Sequence, residues 1–263
     1  GAPRLGYIKI PSFYRDFQGS MLAGKESRNA TDDTRKELRK LSAQKIDGLI
    51  LDLRNNGGGA LTDAVSIAGL FFKTGPVVQV REGDGAIQTL EDRDATIDYA
   101  GPLVVLVNQF SASASEILAG ALQDYGRAVI IGGEHTHGKG TVQAVVDLDR
   151  TFHFPNMERY KPLGAMRVTI QKFYRISGDS TQYRGIVPDI ILPDRLQHLK
   201  SGEQYIDYSL PWDTVPAVNY NRWKEIGLNL PALKSASAKR VQGEKSFQEI
   251  AAAAKKAKER SAQ

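Results

Sequence analysis

An α/β fold with a central, largely parallel sheet and a helical C-terminal extension is predicted by three features of this 263-residue sequence. Residues 48–53, 103–107 and 128–132 are short continuous apolar runs, the form taken by strands buried on both faces. The first two are followed by a turn of small residues and a stretch of helical spacing or composition, the βα alternation of a parallel sheet. From Pro211-Trp212 onward strand signals vanish. In such folds chemistry gathers at the carboxyl ends of the strands.

Residues 5–10 alternate and stop at Pro11, which makes an opening strand. Residues 13–33 are rich in Gly, Ser, Asn and Asp, a loop that gives way at Thr31-Asp32-Asp33-Thr34 to a helix reaching about Gln44. The strand at 48–53 ends in a glycine cluster. Apolar residues at 61, 64, 65, 68 and 70 to 72 then keep helical spacing as far as Gly75-Pro76, and a strand follows at 77–80. Residues 82–101, charged and glycine-containing, predict a hairpin or surface excursion before the strand at 103–107. Residues 114–122 have helical composition, 128–132 return to strand, and 141–148 and 166–174 predict further strands, with a terminating turn at 185–189. The division that results is a core over 1–210 and a helical extension over 211–263, ending in a helix at 247–260.

With 41% hydrophobic residues the chain can bury a substantial core and is not disordered. Its formal charge of +5 is concentrated between Lys234 and Arg260, so the body is close to neutral. That basic tail is interleaved with Ala and Glu and has no aromatic among its last charges, which makes it a solvated helix face rather than a nucleic-acid surface. The absence of cysteine excludes disulfides, thiol catalysis and cysteine-ligated zinc, and is neutral on redox compartment. No run approaches the roughly 18 apolar residues of a spanning helix. Gly1-Ala2-Pro3 reads as an added leader with no signal-peptide pattern, so a targeting segment or further domains are expected upstream.

Three segments carry candidate chemistry. Asp52-Leu53-Arg54-Asn55-Asn56-Gly57-Gly58-Gly59 ends a buried strand, and its glycines free backbone amides to converge on an oxyanion or a phosphate. Ser111-Ala112-Ser113-Ala114-Ser115-Glu116 opens a helix, where the dipole and neighbouring amides suit a nucleophilic serine, although N-capping and alanine packing explain the same residues. Gly138-Lys139-Gly140-Thr141-Val142-Gln143 suggests a phosphate loop from Gly133 to Lys139, but Gly140 stands where that motif needs Ser or Thr. A desolvated lysine can instead serve as a general base for serine; a surface turn is the plain alternative. His135 and His137 lack further ligands, so no metal site is expected, and His153 and His198 are isolated.

Together the segments resemble the tail-specific, or C-terminal processing, serine peptidases of family S41. Asn108 to Ile117 resembles the family's nucleophile segment, Gly138 to Gln143 its lysine segment and Asp52 to Leu61 its glycine-rich segment. The likeness continues through Gln123-Asp124-Tyr125-Gly126-Arg127, Gln171-Lys172-Phe173-Tyr174-Arg175, Gly185-Ile186-Val187-Pro188-Asp189 and Leu210-Pro211-Trp212-Asp213, features of the long periplasmic members of Gram-negative bacteria. The resemblance implies a crotonase/ClpP-like βα core, Ser113 as nucleophile, Lys139 as base, Gln143 orienting the lysine, and Asp124 as an acidic position implicated in activity. Gly58, Gly59 and the Ala114 amide resemble the oxyanion environment. Residues 132–137 are one residue longer than the usual pattern and carry histidines where Pro and an aromatic are commoner. The family's PDZ domain, which receives substrate C-termini and gates the site, is expected before residue 1.

The implied activity is endopeptidase cleavage through an acyl-enzyme on substrates recognised by their C-terminal tails, without cofactor or nucleic acid. Implied too are a periplasmic location and partners that include an adaptor or activating lipoprotein and peripheral contact with the membrane. The reading from another class is a module that holds ligands or partners on the same fold without chemistry.

Overall fold

The computed structural model describes residues 1–16, 19, 27–152, 157–225 and 227–261; His153 lies outside these. Five short apolar strands, β1 (Leu5–Lys9), β2 (Gly48–Asp52), β5 (Leu103–Leu106), β6 (Val129–Gly132) and β9 (Ile190–Ile191), form a parallel sheet in the order β1-β2-β5-β6-β9. Parallel pairing requires crossovers. These are supplied by α1 (Ala30–Ala43) between β1 and β2, α2 (Leu61–Gly69) before β5, and α3 (Ala114–Asp124) between β5 and β6. Leu49, Leu51, Val105 and Ile130 of the sheet are buried with Leu38, Ile67, Leu118 and Leu122 of the three helices in one hydrophobic core.

The strand expected at 77–80 does not join this sheet. It is β3 (Gly75–Glu82), which pairs antiparallel with β4 (Ile87–Asp92) and with β8 (Ala165–Tyr174); β8 pairs in turn with β7 (Thr141–Asp147), giving a second, antiparallel sheet in the order β4-β3-β8-β7. The reason is local: residues 83–86 between β3 and β4 form a tight turn, too short for a parallel crossover. Beyond β7 a one-turn helix, α4 (Leu148–Thr151), precedes the return along β8.

Residues 211–229, expected within the helical extension, contain no helix among those described. Pro211 and Pro216 disfavour one, and side chains strap this segment to the core. Asp213 receives Arg81 and Lys172 at 2.6 and 2.5 Å, and the Trp223 ring lies 4.8 Å from the buried Arg127 guanidinium. Helix begins only at α5 (Leu230–Gly243), followed by α6 (Lys245–Ser261). None of the described helices is long and apolar enough to cross a membrane.

Candidate active site

Ser113 stands between β5 and α3, at the N-cap of the helix, with φ 58° and ψ −116°. A non-glycine residue at positive φ is strained and persists only where its surroundings over-determine it, a condition common at reactive sites. Three constraints hold it. Ala112 N–H donates to Asn56 O at 3.0 Å, Ser111 Oγ to Leu53 O at 2.9 Å and Ser115 Oγ to Asn56 O at 2.9 Å. The two flanking serines are therefore buried and committed to carbonyls of the glycine segment, and Ser113 alone of the three lines a cavity of about 630 Å³.

The glycine segment is shaped by the same contacts. Buried Asn56 donates to Ile10 O at 2.8 Å and accepts from Gly58 N–H at 2.9 Å. At Gly58, φ is 105° and an added Cβ would stand 2.8 Å from Ser113 Cβ, so only glycine lets this backbone lie against Ser113. The Gly58 amide is already spent on Asn56. No described group accepts from Gly59 N–H or Ala114 N–H, and both residues line the cavity.

Lys139 comes from the loop before β7 and lines the same cavity. Its backbone is fixed from two sides. Tyr183 N–H donates to Gly138 O and Gly140 N–H to Gln182 Oε1, each at 2.8 Å. On the other side stands a residue that the sequence reading passed over. Glu116 is fully buried, and its carboxylate takes four hydrogen bonds. Oε1 accepts from Thr136 Oγ1 at 2.5 Å and Gly138 N–H at 2.7 Å, while Oε2 accepts from Ser113 N–H at 2.7 Å and Lys139 N–H at 3.0 Å. Because both donate to one oxygen, the backbone nitrogens of Ser113 and Lys139 lie within about 6 Å of each other. Burial pushes the Glu116 carboxyl up to about 7, against the pull of its four donors. Its signal was legible as Ser113-x-x-Glu116, the spacing of a capping box, which reads as ordinary helix punctuation.

Lys139 Nζ donates to Gln143 Oε1 at 3.3 Å, and no hydrogen bond joins it to Ser113 Oγ in this conformation. Ser113, Lys139, Gln143, Gly58, Gly59 and Ala114 thus share one cavity. Asp124 does not. It closes α3, 11 residues after Ser113 and so roughly 16 Å along the helix, and binds Arg175 through contacts of 3.1 and 2.5 Å. Burial raises its pKa while Arg175 pulls the other way. None of the described histidines lines this cavity: His137 Nδ1 is buried without a partner, burial lowers its pKa, and His198 is half-buried. No three metal-ligating side chains cluster among the described residues.

A strained serine at a helix N-terminus, free amides beside it and a lysine on the same cavity are compatible with acyl-transfer chemistry. The chain belongs to peptidase family S41, matched over residues 4–192, and residues 196–263 match the C-terminal domain of tail specific protease. It is 47% identical over 216 residues to the tail-specific protease of Haemophilus influenzae, covering 82% of this chain and 28% of that protein. To the chloroplastic C-terminal processing peptidase of Tetradesmus obliquus it is 34% identical over 189 residues, 72% of this chain and 35% of that one. Among solved structures, the photosystem II D1 C-terminal processing protease superposes with a TM-score of 0.56 at 33% identity, over 72% of this chain and 42% of that one. Mature CPAF bound to lactacystin, at 15% identity and a TM-score of 0.53, shares the fold. The chain spans about a third of the length of the curated relatives it matches.

Proposed function

We propose that this chain is the catalytic core of a serine endopeptidase that cleaves protein substrates recognised by their C-terminal tails, with Ser113 as nucleophile and Lys139 as general base. The observation that carries this is the shared oxygen of Glu116, which holds the Ser113 and Lys139 backbones together at one cavity. In the proposed reaction the Lys139 side chain turns from Gln143, and its Nζ accepts the Ser113 hydroxyl proton as Oγ attacks the peptide carbonyl. The unspent Gly59 and Ala114 amides receive the oxyanion; Gly58 shapes the hole by its close approach to Ser113. Collapse passes the proton from Lys139 to the leaving amine, and water, deprotonated by the same nitrogen, then releases the acyl group.

Tail recognition, a periplasmic setting and an activating lipoprotein at the membrane surface rest on the family and on the names of its relatives. Asp124, held away from the cavity, acts in this reading by positioning Arg175. The test is replacement in the whole protein. Ser113→Ala and Lys139→Ala are each expected to abolish peptide cleavage and labelling by a phosphonylating serine probe while circular dichroism and melting stay near those of the parent. Cleavage retained by either folded variant refutes the dyad.

A further inference from the structure

The cavity that holds Ser113 and Lys139 is walled by Phe13, Leu61, Ile117 and Phe173, and its only charged side chains among the described residues are Lys139 and Arg167. No acid lines it. Arg167 lies on β8 directly opposite Val145 of β7, and opposed residues of an antiparallel pair share a face. Arg15, Arg81 and Arg175 are paired with carboxylates and the buried Arg127 with backbone carbonyls, whereas Arg167 is exposed at the cavity and has no ion pair among the described residues. A guanidinium without a carboxylate, facing a cavity without an anion, is complementary to one that arrives with a ligand.

The strand beside it supplies the rest. β7 is the edge of its sheet, bonded to β8 on one side only, and β7 starts two residues after Lys139. Thr141, Gln143 and Val145, on one face of the strand, line the cavity together with Val142. Outer-edge N–H and C=O groups of such a strand accept an extended segment as a further strand. Thr141 to Val145 spans roughly 13 Å, the length of about four residues of an extended peptide.

On the peptidase reading above, we propose that β7 is the docking strand for the substrate backbone and that Arg167, at its far end, selects segments carrying a carboxylate about four residues from the scissile bond. The carboxylate is either an acidic side chain or the free C-terminus of the substrate. Val145 and Arg167 thus set specificity at a distance from the chemistry.

The experiment measures binding by fluorescence anisotropy in the Ser113→Ala form of the whole protein, so that it does not depend on turnover. The probes are labelled decapeptides of small and apolar residues, bearing Glu or Gln at a position four residues to either side of the centre, each with a free or an amidated C-terminus. At low ionic strength a carboxylate is expected to tighten binding about fivefold, the upper range of an exposed ion pair, and the gain shrinks with added salt. Arg167→Gln brings the ratio to about one, and Arg167→Glu inverts it. Preference for Glu within amidated peptides assigns the side-chain source; preference confined to free acids assigns the terminus. N-methylation of the peptide at successive positions is expected to weaken binding at every second one, the signature of a ladder. Equal affinity of acidic and neutral peptides, or a ratio that survives Arg167→Gln, overturns the role of Arg167. Indifference to N-methylation, or no saturable binding, overturns the docking strand. Catalytic competence is read separately in the unmutated protein by phosphonylation of Ser113, so the two failures are distinct.

Discussion

Replacing Glu116 by glutamine keeps the size of the side chain and turns one oxygen, acceptor of two hydrogen bonds, into a donor that faces two donors. Hydrogen bonds to a charged acceptor contribute about 1.5–3 kcal/mol each, so two lost bonds cost about 5 kcal/mol. The substitution also removes a buried charge. A carboxyl raised from 4.5 to about 7 carries its charge in the fold at a penalty of about 3 kcal/mol relative to water. That penalty is already net of the four donors and offsets most of the lost bonding, so Tm is expected to shift by no more than about 5 °C for a chain of this size. Activity should suffer more. The lost acceptor loosens either the Ser113 and Lys139 amides or the Thr136 and Gly138 donors, and a displacement of about 1 Å at a reacting pair costs on the order of a hundredfold.

The same carboxyl predicts a pH dependence with opposite signs in two observables. Its folded pKa lies above the unfolded one, so its contribution to stability is fully present below about 4.5 and is lost as pH rises through about 7. Its ionised form makes the four-bond clamp, so the rate of Ser113 phosphonylation should rise through that same pH. Burial holds His137 below its usual 6.5, so its limb falls lower, and His137→Gln should leave the limb near 7 in place. Stopped-time labelling and melting curves from pH 5 to 9, native against Glu116→Gln, check this. A limb near pH 7 that persists in the glutamine variant, or labelling at the native rate, refutes the clamp.

Two further outcomes follow from the site. Asp124→Asn leaves the mostly buried Arg175 without its carboxylate, at a cost of about 3 kcal/mol; Tm falls while probe labelling is retained at low temperature, and abolished labelling in a folded variant would place Asp124 in the chemistry instead. Gly58→Ala forces a Cβ to 2.8 Å from Ser113 Cβ at a φ that alanine disfavours, and is expected to slow labelling about a hundredfold; native-rate labelling would show that the glycine loop is not part of the reactive geometry.

The Ser113 turn and the Lys139 loop were legible because each follows a buried apolar run, and position after such a run is a local property of the sequence. Selection of Ser113 from three serines came from family likeness, and the structure adds a physical reason: Ser111 and Ser115 are spent on Leu53 and Asn56 carbonyls. The second sheet was not legible. Residues 77–80, 141–148 and 166–174 read as strands, but which strands pair is decided by contacts such as Gln79 with Tyr174, far apart in sequence. Glu116 was hidden for a related reason. Its spacing from Ser113 is local, whereas its other three donors arrive from residues 136–139, and only folding brings them in.

The proposed nucleophile and base belong to different sheets: Ser113 follows β5 of the parallel one, and Lys139 leads into β7 of the antiparallel one. Their separation would drift with the packing angle of the two sheets if nothing linked them. Two links join them: His137 N–H donates to Ser111 O at 3.0 Å, and Glu116 accepts from the backbone amides of both Ser113 and Lys139. With the two backbone nitrogens held within about 6 Å, what keeps Lys139 Nζ from Ser113 is the rotamer that points it at Gln143. A lysine carries four carbons of flexible stem, and ordering it costs up to about 2 kcal/mol. In the proposed reaction Lys139 Nζ must leave its present acceptor, Gln143, which stands on the cavity face of β7.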